Sequence, residues 1–195
     1  MKILNITILI FLSLLLSACF GSPSSVPEDR FYTLRVNPAE IVKTKYKLIT
    51  IQKIHAYGLY NERAMLYAKS DLPLQIKRYH YHHWVMPPTQ LIQQNLKDYL
   101  SNSRIAENVV IRAISGINTL RISAELLAFE RVISTNKQSV HVELVFEVQQ
   151  SNGQYNSYKY KENVKTSSNT LHAAADAYGL ALGRIFKKLL NELES

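Results

Sequence analysis

The sequence predicts an α+β fold, a largely antiparallel β-sheet with two helices packed on one face. Three observations predict it. Residues 120–148 contain two long runs that alternate apolar and polar side chains. Residues 171–193 repeat apolar side chains every three or four positions. Asn152-Gly153 between polar-aromatic stretches is a hairpin turn signal.

In the first alternating run Leu120, Ile122, Ala124, Leu126 and Ala128 interleave with Arg121, Ser123 and Glu125. In the second, Val140, Val142, Leu144, Phe146 and Val148 interleave with His141, Glu143 and Glu147. Period two is the signature of half-buried strands. Asn136-Lys137 between them predicts a long hairpin, and QYNSYKYKENVKT after Gly153 predicts a third strand. The sum is a three-stranded antiparallel meander with one wet face. The helix follows a Ser/Asn/Thr cluster at 167–170 suited to N-capping. Its apolar stripe is Leu171, Ala175, Tyr178, Leu182, Ile185, Leu189 and Leu193, and Gly179 and Gly183 lie on a neighbouring stripe with Ala175. A glycine costs about 1 kcal/mol in a helix interior, so two of them imply a close approach, expected against the sheet beneath. Upstream, RFYTL (30–34) and KYKLITIQKIHA (45–56) predict strands. RAMLYAKS and LQIKRYHYHHWV flank Asp71-Leu72-Pro73 as two strands joined by a turn. Pro87-Pro88 opens a helix whose face is Ile92, Leu96, Tyr99 and Leu100.

The N-terminus is of another kind. Lys2 precedes a run of Ile, Leu and Phe through Leu16, shorter than the roughly 20 apolar residues a membrane span needs. Ser17 and Ala18 are small, and Cys19, the chain's only cysteine, follows them. Leu16-Ser17-Ala18-Cys19 resembles the bacterial lipobox. That resemblance implies cleavage of a signal peptide at 1–18 and acylation of Cys19. Several acyl chains hold a protein at a bilayer where one is marginal. Phe20, rather than Asp, follows the cysteine, which favours placement at the outer membrane over retention at the inner one. Residues 19–30 then form a lipidated Ser/Pro tether, reaching up to about 40 Å when extended at roughly 3.3 Å per residue, and 31–195 form a single periplasmic domain. With no second cysteine, the core alone must hold that domain.

The chain of 195 residues carries a formal charge of +8, and Lys2 is the only charge in the first 18, leaving +7 in the remainder. In the periplasm such a balance points to anionic lipid head groups, lipopolysaccharide or an acidic protein rather than nucleic acid. No nucleophile elbow, His-Glu-x-x-His or phosphate loop occurs, and no carboxylate pair stands out as acid and base. The reading is therefore of no catalytic residues, no cofactor and no resident metal. One cluster stays open, RYHYHHW at 78–84. On a regular strand His80 and His82 share one face, and Tyr79, Tyr81 and His83 the other. Two histidines at this spacing could hold a metal if His55 or His141 supplied a third ligand. The rings could equally pack on neighbours, or Tyr79, Tyr81 and Trp84 could form an aromatic contact surface for a partner.

The order of features, namely a lipobox, a short tether, Phe31-Tyr32-Thr33-Leu34, then YHHWVMPPTQLIQQNLKDYL (81–100), a β-meander and HAAADAYGLALGRIFKKLLNEL (172–193), resembles the ABC-type transport auxiliary lipoprotein family, the PqiC/YmbA-like proteins. The resemblance spans nearly all of 19–195 and rests on scaffold motifs, with the 79–83 stretch richer in aromatics than the pattern. It implies a lipoprotein on the inner leaflet of the outer membrane that docks an MCE-domain conduit protein in envelope lipid transport. Self-assembly through a sheet edge would be in keeping with it. Two alternatives stay open: a stand-alone lipoprotein that binds a lipid or glycan, and an assembly lipoprotein of another envelope machine.

Overall fold

The computed structural model describes residues 27–111, 119–135 and 137–195. Eight strands and two helices follow one another as β1 (Arg30–Tyr32), β2 (Tyr46–Ala56), β3 (Ala64–Lys69), β4 (Leu72–Trp84), α1 (Pro88–Ser103), β5 (Ala106–Val110), β6 (Thr119–Ile133), β7 (Gln138–Gln149), β8 (Tyr155–Lys165) and α2 (Leu171–Glu194). A short 3-10 turn, Gly58–Asn61, separates β2 from β3. The α+β class and the two helices are as the patterning predicts.

The meander forms as expected. β6 pairs antiparallel with β7 from Arg121↔Gln149 to Ile133↔Gln138, and β7 with β8 from Ser139↔Lys165 to Gln149↔Tyr155. Gly153 takes φ +85° in the β7–β8 turn, and the Gln154 amide donates to Asn152 Oδ1 at 2.9 Å, so the Asn-Gly pair does what its chemistry allows. The β3–β4 hairpin also forms, although its turn falls at Ser70-Asp71 and Leu72-Pro73 already belong to β4.

Elsewhere the sheet is mixed. Among the described residues, four of its seven pairings are parallel: β1–β4, β2–β5, β2–β6 and β3–β6. β6 is long enough to take two neighbours on one edge. β2 lies along Thr119–Leu126 and β3 along Arg131–Ile133, with the Gly58–Asn61 turn filling the step between them. β5, which the sequence reading missed, is a five-residue edge strand tight behind α1.

Both helices cover the same face. α1 lies over β2 and β5, burying Leu91, Ile92, Leu96, Tyr99 and Leu100. α2 lies over β7 and β8, burying Tyr178, Leu182, Ile185, Phe186, Leu189 and Leu193. They meet where Tyr99 packs on Phe186, with ring centroids 5.6 Å apart. Thr170 caps α2, its hydroxyl accepting from the Ala173 amide at 3.2 Å. The inward residues of β6 and β7 complete one continuous core. Each fully buried Leu, Ile or Phe in it contributes about 1.5–3 kcal/mol.

Candidate anchoring and docking site

Cys19 and the lipobox residues Leu16, Ser17 and Ala18 lie outside the described residues. What the structure shows is where the chain emerging from them joins the body. β1 runs parallel to the end of β4, with Arg30 opposite His82, Phe31 opposite His83 and Tyr32 opposite Trp84. The two motifs that the sequence presents fifty residues apart, Phe-Tyr-Thr-Leu and Tyr-His-His-Trp, are thus neighbouring strands. The Val85 amide closes the junction on the Tyr32 carbonyl at 2.9 Å.

Trp84 is the centre of this junction. It is 1% exposed and packs edge-on against Tyr178 of α2 at 5.3 Å and against Phe129 of β6 at 5.5 Å, while Phe129 and Tyr178 stack at 4.2 Å. The idea of Trp84 as a partner-contact residue is corrected: its ring is consumed by the core. Burial pushes the Tyr178 hydroxyl well above its usual range. After Leu34, itself buried, the chain crosses α2. A Cβ on Gly179 would overlap the Arg35 carbonyl oxygen, and one on Gly183 would lie 3.5 Å from Val36 Cγ1. The glycine pair therefore accommodates the segment following β1, not the sheet beneath. Periodicity showed that something approaches closely; only the fold shows what.

The aromatic stretch also departs from simple alternation. Leu66 faces Arg78, but Ala64 faces His83, so two steps along β3 correspond to five along β4. The surplus residues form an irregularity, and it brings Tyr79 and His82 together, rings edge-on at 5.8 Å. Tyr79 is half-buried against Tyr67, and its hydroxyl accepts from Arg131 at 3.0 Å. Burial raises its pKa and the Arg131 charge opposes that rise. Arg131, almost fully buried, also donates to the Asn169 carbonyl at 2.6 Å, tying β6 to the segment before α2. His82 Nδ1 bonds the Tyr32 hydroxyl at 3.0 Å. Burial first, then Arg30 and His83, hold the His82 pKa below its ordinary value, which favours the neutral imidazole. His80 is exposed, as is Tyr81, at 42%. Of the three aromatic residues singled out, Tyr81 alone presents an open face. Among the described residues no group of three or more His, Cys, Asp or Glu is arranged to hold a metal, and neither His55 nor His141 joins His80 and His82.

On the face away from the helices a polar cluster appears that the alternation did not foretell. Glu130, 6% exposed, accepts from the Tyr60 hydroxyl at 3.0 Å and from His141 Nδ1 at 2.7 Å. A carboxylate can only accept, which fixes the proton on Nδ1. His141 Nε2 faces Glu143 Oε2 at 3.6 Å, and Lys159 closes on Glu143 at 2.7 Å. The Lys159 bond, then the Lys159, Lys161 and His141 charges, hold Glu143 below the usual carboxylate range against the opposing effect of burial. The Tyr60 hydroxyl is raised by burial and by the Glu130 charge, so it remains a donor. The expected wet face is therefore partly covered. His141 Nε2 makes no hydrogen bond of its own, and the bonds of Tyr60 and His141 to Glu130 tie the Gly58–Asn61 turn to the meander.

A groove of about 510 Å³ runs between residues 35–42 and the outer side of α2. Leu180 and Leu190 line it, and Arg35, Arg184 and Lys187 alternate there with Glu40, Asp176 and Glu194. Lys187 pairs with Glu40 at 3.2 Å. Among the described residues no helix is long and apolar enough to cross a membrane.

Comparison with known proteins bears on the fold. No family model matches this chain, and no curated protein does. Among solved structures the chain is similar to protein XCC0632 from Xanthomonas campestris, described under the family model DUF330, with a TM-score of 0.69 and 17% identity over 83% of this chain and 92% of that one. It is also similar to an uncharacterized protein, with a TM-score of 0.71 and 12% identity over 86% of this chain and 99% of that one. At these identities the likeness is one of fold.

Proposed function

We propose that this chain is a non-catalytic lipoprotein, anchored through acylated Cys19 on the periplasmic face of the outer membrane, which docks an MCE-domain conduit protein in envelope lipid transport. The observation that carries the reading is the union of Phe31-Tyr32-Thr33-Leu34, Trp84 and Gly179 in one packed junction. These are the scaffold motifs by which the sequence resembles the PqiC/YmbA-like proteins, and they are contiguous in space. The fold likeness to a DUF330 protein supports the same reading. The chemistry supports it too: the buried Glu130 and Arg131 are engaged by internal partners.

Two measurements test it. Intact mass of the protein from membranes should show a diacylglyceryl and an acyl group on residue 19 and loss of 1–18. Cross-linking in intact envelopes followed by pull-down should recover an MCE-domain protein. Correct anchoring with no conduit protein recovered would sink the docking half of the proposal and leave the anchor standing.

A further inference from the structure

The end of the sheet at the β3–β4 turn is unlike the rest of the surface. Between Ala68↔Ile76 and Lys69↔Leu72 one step along β3 corresponds to four along β4, so Pro73, Leu74 and Gln75 bulge out of the ladder. Pro73 has no amide hydrogen to offer a ladder and suits such a bulge. Leu74 is 99% exposed and Leu72 51% exposed, at the tip of a hairpin. The Ser70 amide donates to the Ile133 carbonyl at 2.9 Å, and the Thr166 amide to the Gln138 carbonyl at 2.9 Å. These bonds place the β6–β7 turn and the end of β8 beside the tip. The exposed residues Lys69, Lys137 and Lys165 therefore share this end, with Asp71 the acidic residue at the tip.

Chain direction says what this end faces. β1 is parallel to β4, so the polypeptide before Arg30 approaches from the side of Leu72. The ladder from Ala64↔His83 to Lys69↔Leu72 advances only five residues along β3, roughly 17 Å at about 3.3 Å per residue. Cys19 precedes Arg30 by eleven residues, roughly 36 Å of extended chain. A tether of that length is long enough to bring the lipid attachment point to the level of the hairpin tip.

We infer that the β3–β4 tip is a membrane contact: Leu72 and Leu74 enter the head-group region of the bilayer that holds the anchor, while Lys69, Lys137 and Lys165 lie against anionic lipid. The inference rests on the anchored reading above. Apolar side chains flanked by lysines are what an interfacial lipid contact requires. The tip commits the body to one orientation and directs the Tyr155 end of the meander away from the membrane.

The test uses the full-length lipidated protein in vesicles of phosphatidylethanolamine and phosphatidylglycerol that contain shallow bromolipid quenchers. A thiol-reactive fluorophore is placed by Leu74→Cys and, as the control at the far end, by Tyr155→Cys. The expected result is a blue-shifted emission at position 74 quenched at least two-fold, with no quenching at 155. Vesicle-bound protein whose label at 74 is as wet as that at 155 overturns the contact while leaving the anchor intact. Labelling of the unsubstituted protein at Cys19 shows a free thiol and overturns both together. A label at 74 shielded in envelopes but wet in vesicles assigns the tip to a protein partner and overturns the lipid assignment.

Discussion

The two ends of β4 lie twelve residues apart on one strand and have opposite fates. Trp84 is 1% exposed and Leu74 is 99% exposed. Neither difference originates in the residues' own preferences, since both are large apolar side chains that would leave water if they could. At the Trp84 end β1 adds an edge strand and α2 adds a roof. At the Leu74 end the irregularity in register lifts the chain off the sheet, and no helix extends over it. Topology decides which apolar residue becomes core and which becomes surface.

Substitutions at the two ends sharpen this contrast. Trp84→Ala should be the most damaging, at about 4 kcal/mol. With roughly 2–4 °C per kcal/mol for a chain of this size, the thermal midpoint should fall by about 12 °C. A loss under about 1 kcal/mol would mean that the ring is not the keystone described. Next, Gly179→Ala should cost about 2 kcal/mol, because the new Cβ meets the Arg35 backbone and overrides the gain in helix propensity. Gly183→Ala, whose Cβ meets only Val36 at ordinary contact distance, should be neutral or stabilising by up to about 1 kcal/mol. Equal losses at both positions in denaturant titrations would remove the crossing segment as the cause.

The acid response should be smaller and should separate two regions. His82 has a folded pKa below its ordinary 6.5, so its contribution is present above that value and is lost as pH falls through the folded value. Glu143 likewise contributes above its ordinary 4.5 and loses that contribution as pH falls through its depressed folded value. His82→Gln should therefore flatten the stability–pH curve just below pH 6.5, and Glu143→Gln only below pH 4.5. Reversal of these windows would refute the causes assigned. Smallest of all, Leu74→Ser should change stability by less than about 0.5 kcal/mol. A larger loss would show Leu74 to be packed within the fold.

Much of the scaffold was legible because it is periodic. Leu120 to Val148 and the helix stripe from Leu171 to Leu193 announce their burial through spacing alone. The Asn152-Gly153 turn and the Thr170 cap follow from local chemistry. What was not legible is non-local. Parallel pairing requires long crossovers that leave no local trace, so β1 on β4 and β3 on β6 could not be read from neighbours in sequence. Gly179 announced a close approach without naming its partner, which lies 144 positions away at Arg35. The alternation of His141 and Glu143 put them on an outward face, yet nothing in it revealed that Tyr60 and Glu130 would meet them there. At 78–83 regular alternation misplaced Tyr79 relative to His82 because the β3–β4 register is irregular.

The parallel pairing of β1 with β4 also has a mechanical meaning. Tension drawn along the chain toward Leu72 acts down the axis of β1, so its hydrogen bonds are sheared together rather than unzipped singly. Any force that survives them passes through Leu34 to the saddle at Gly179, where the whole helix resists. Such a linkage lets a pull on the chain before Arg30 be borne by the sheet while the aromatic core beneath stays undisturbed.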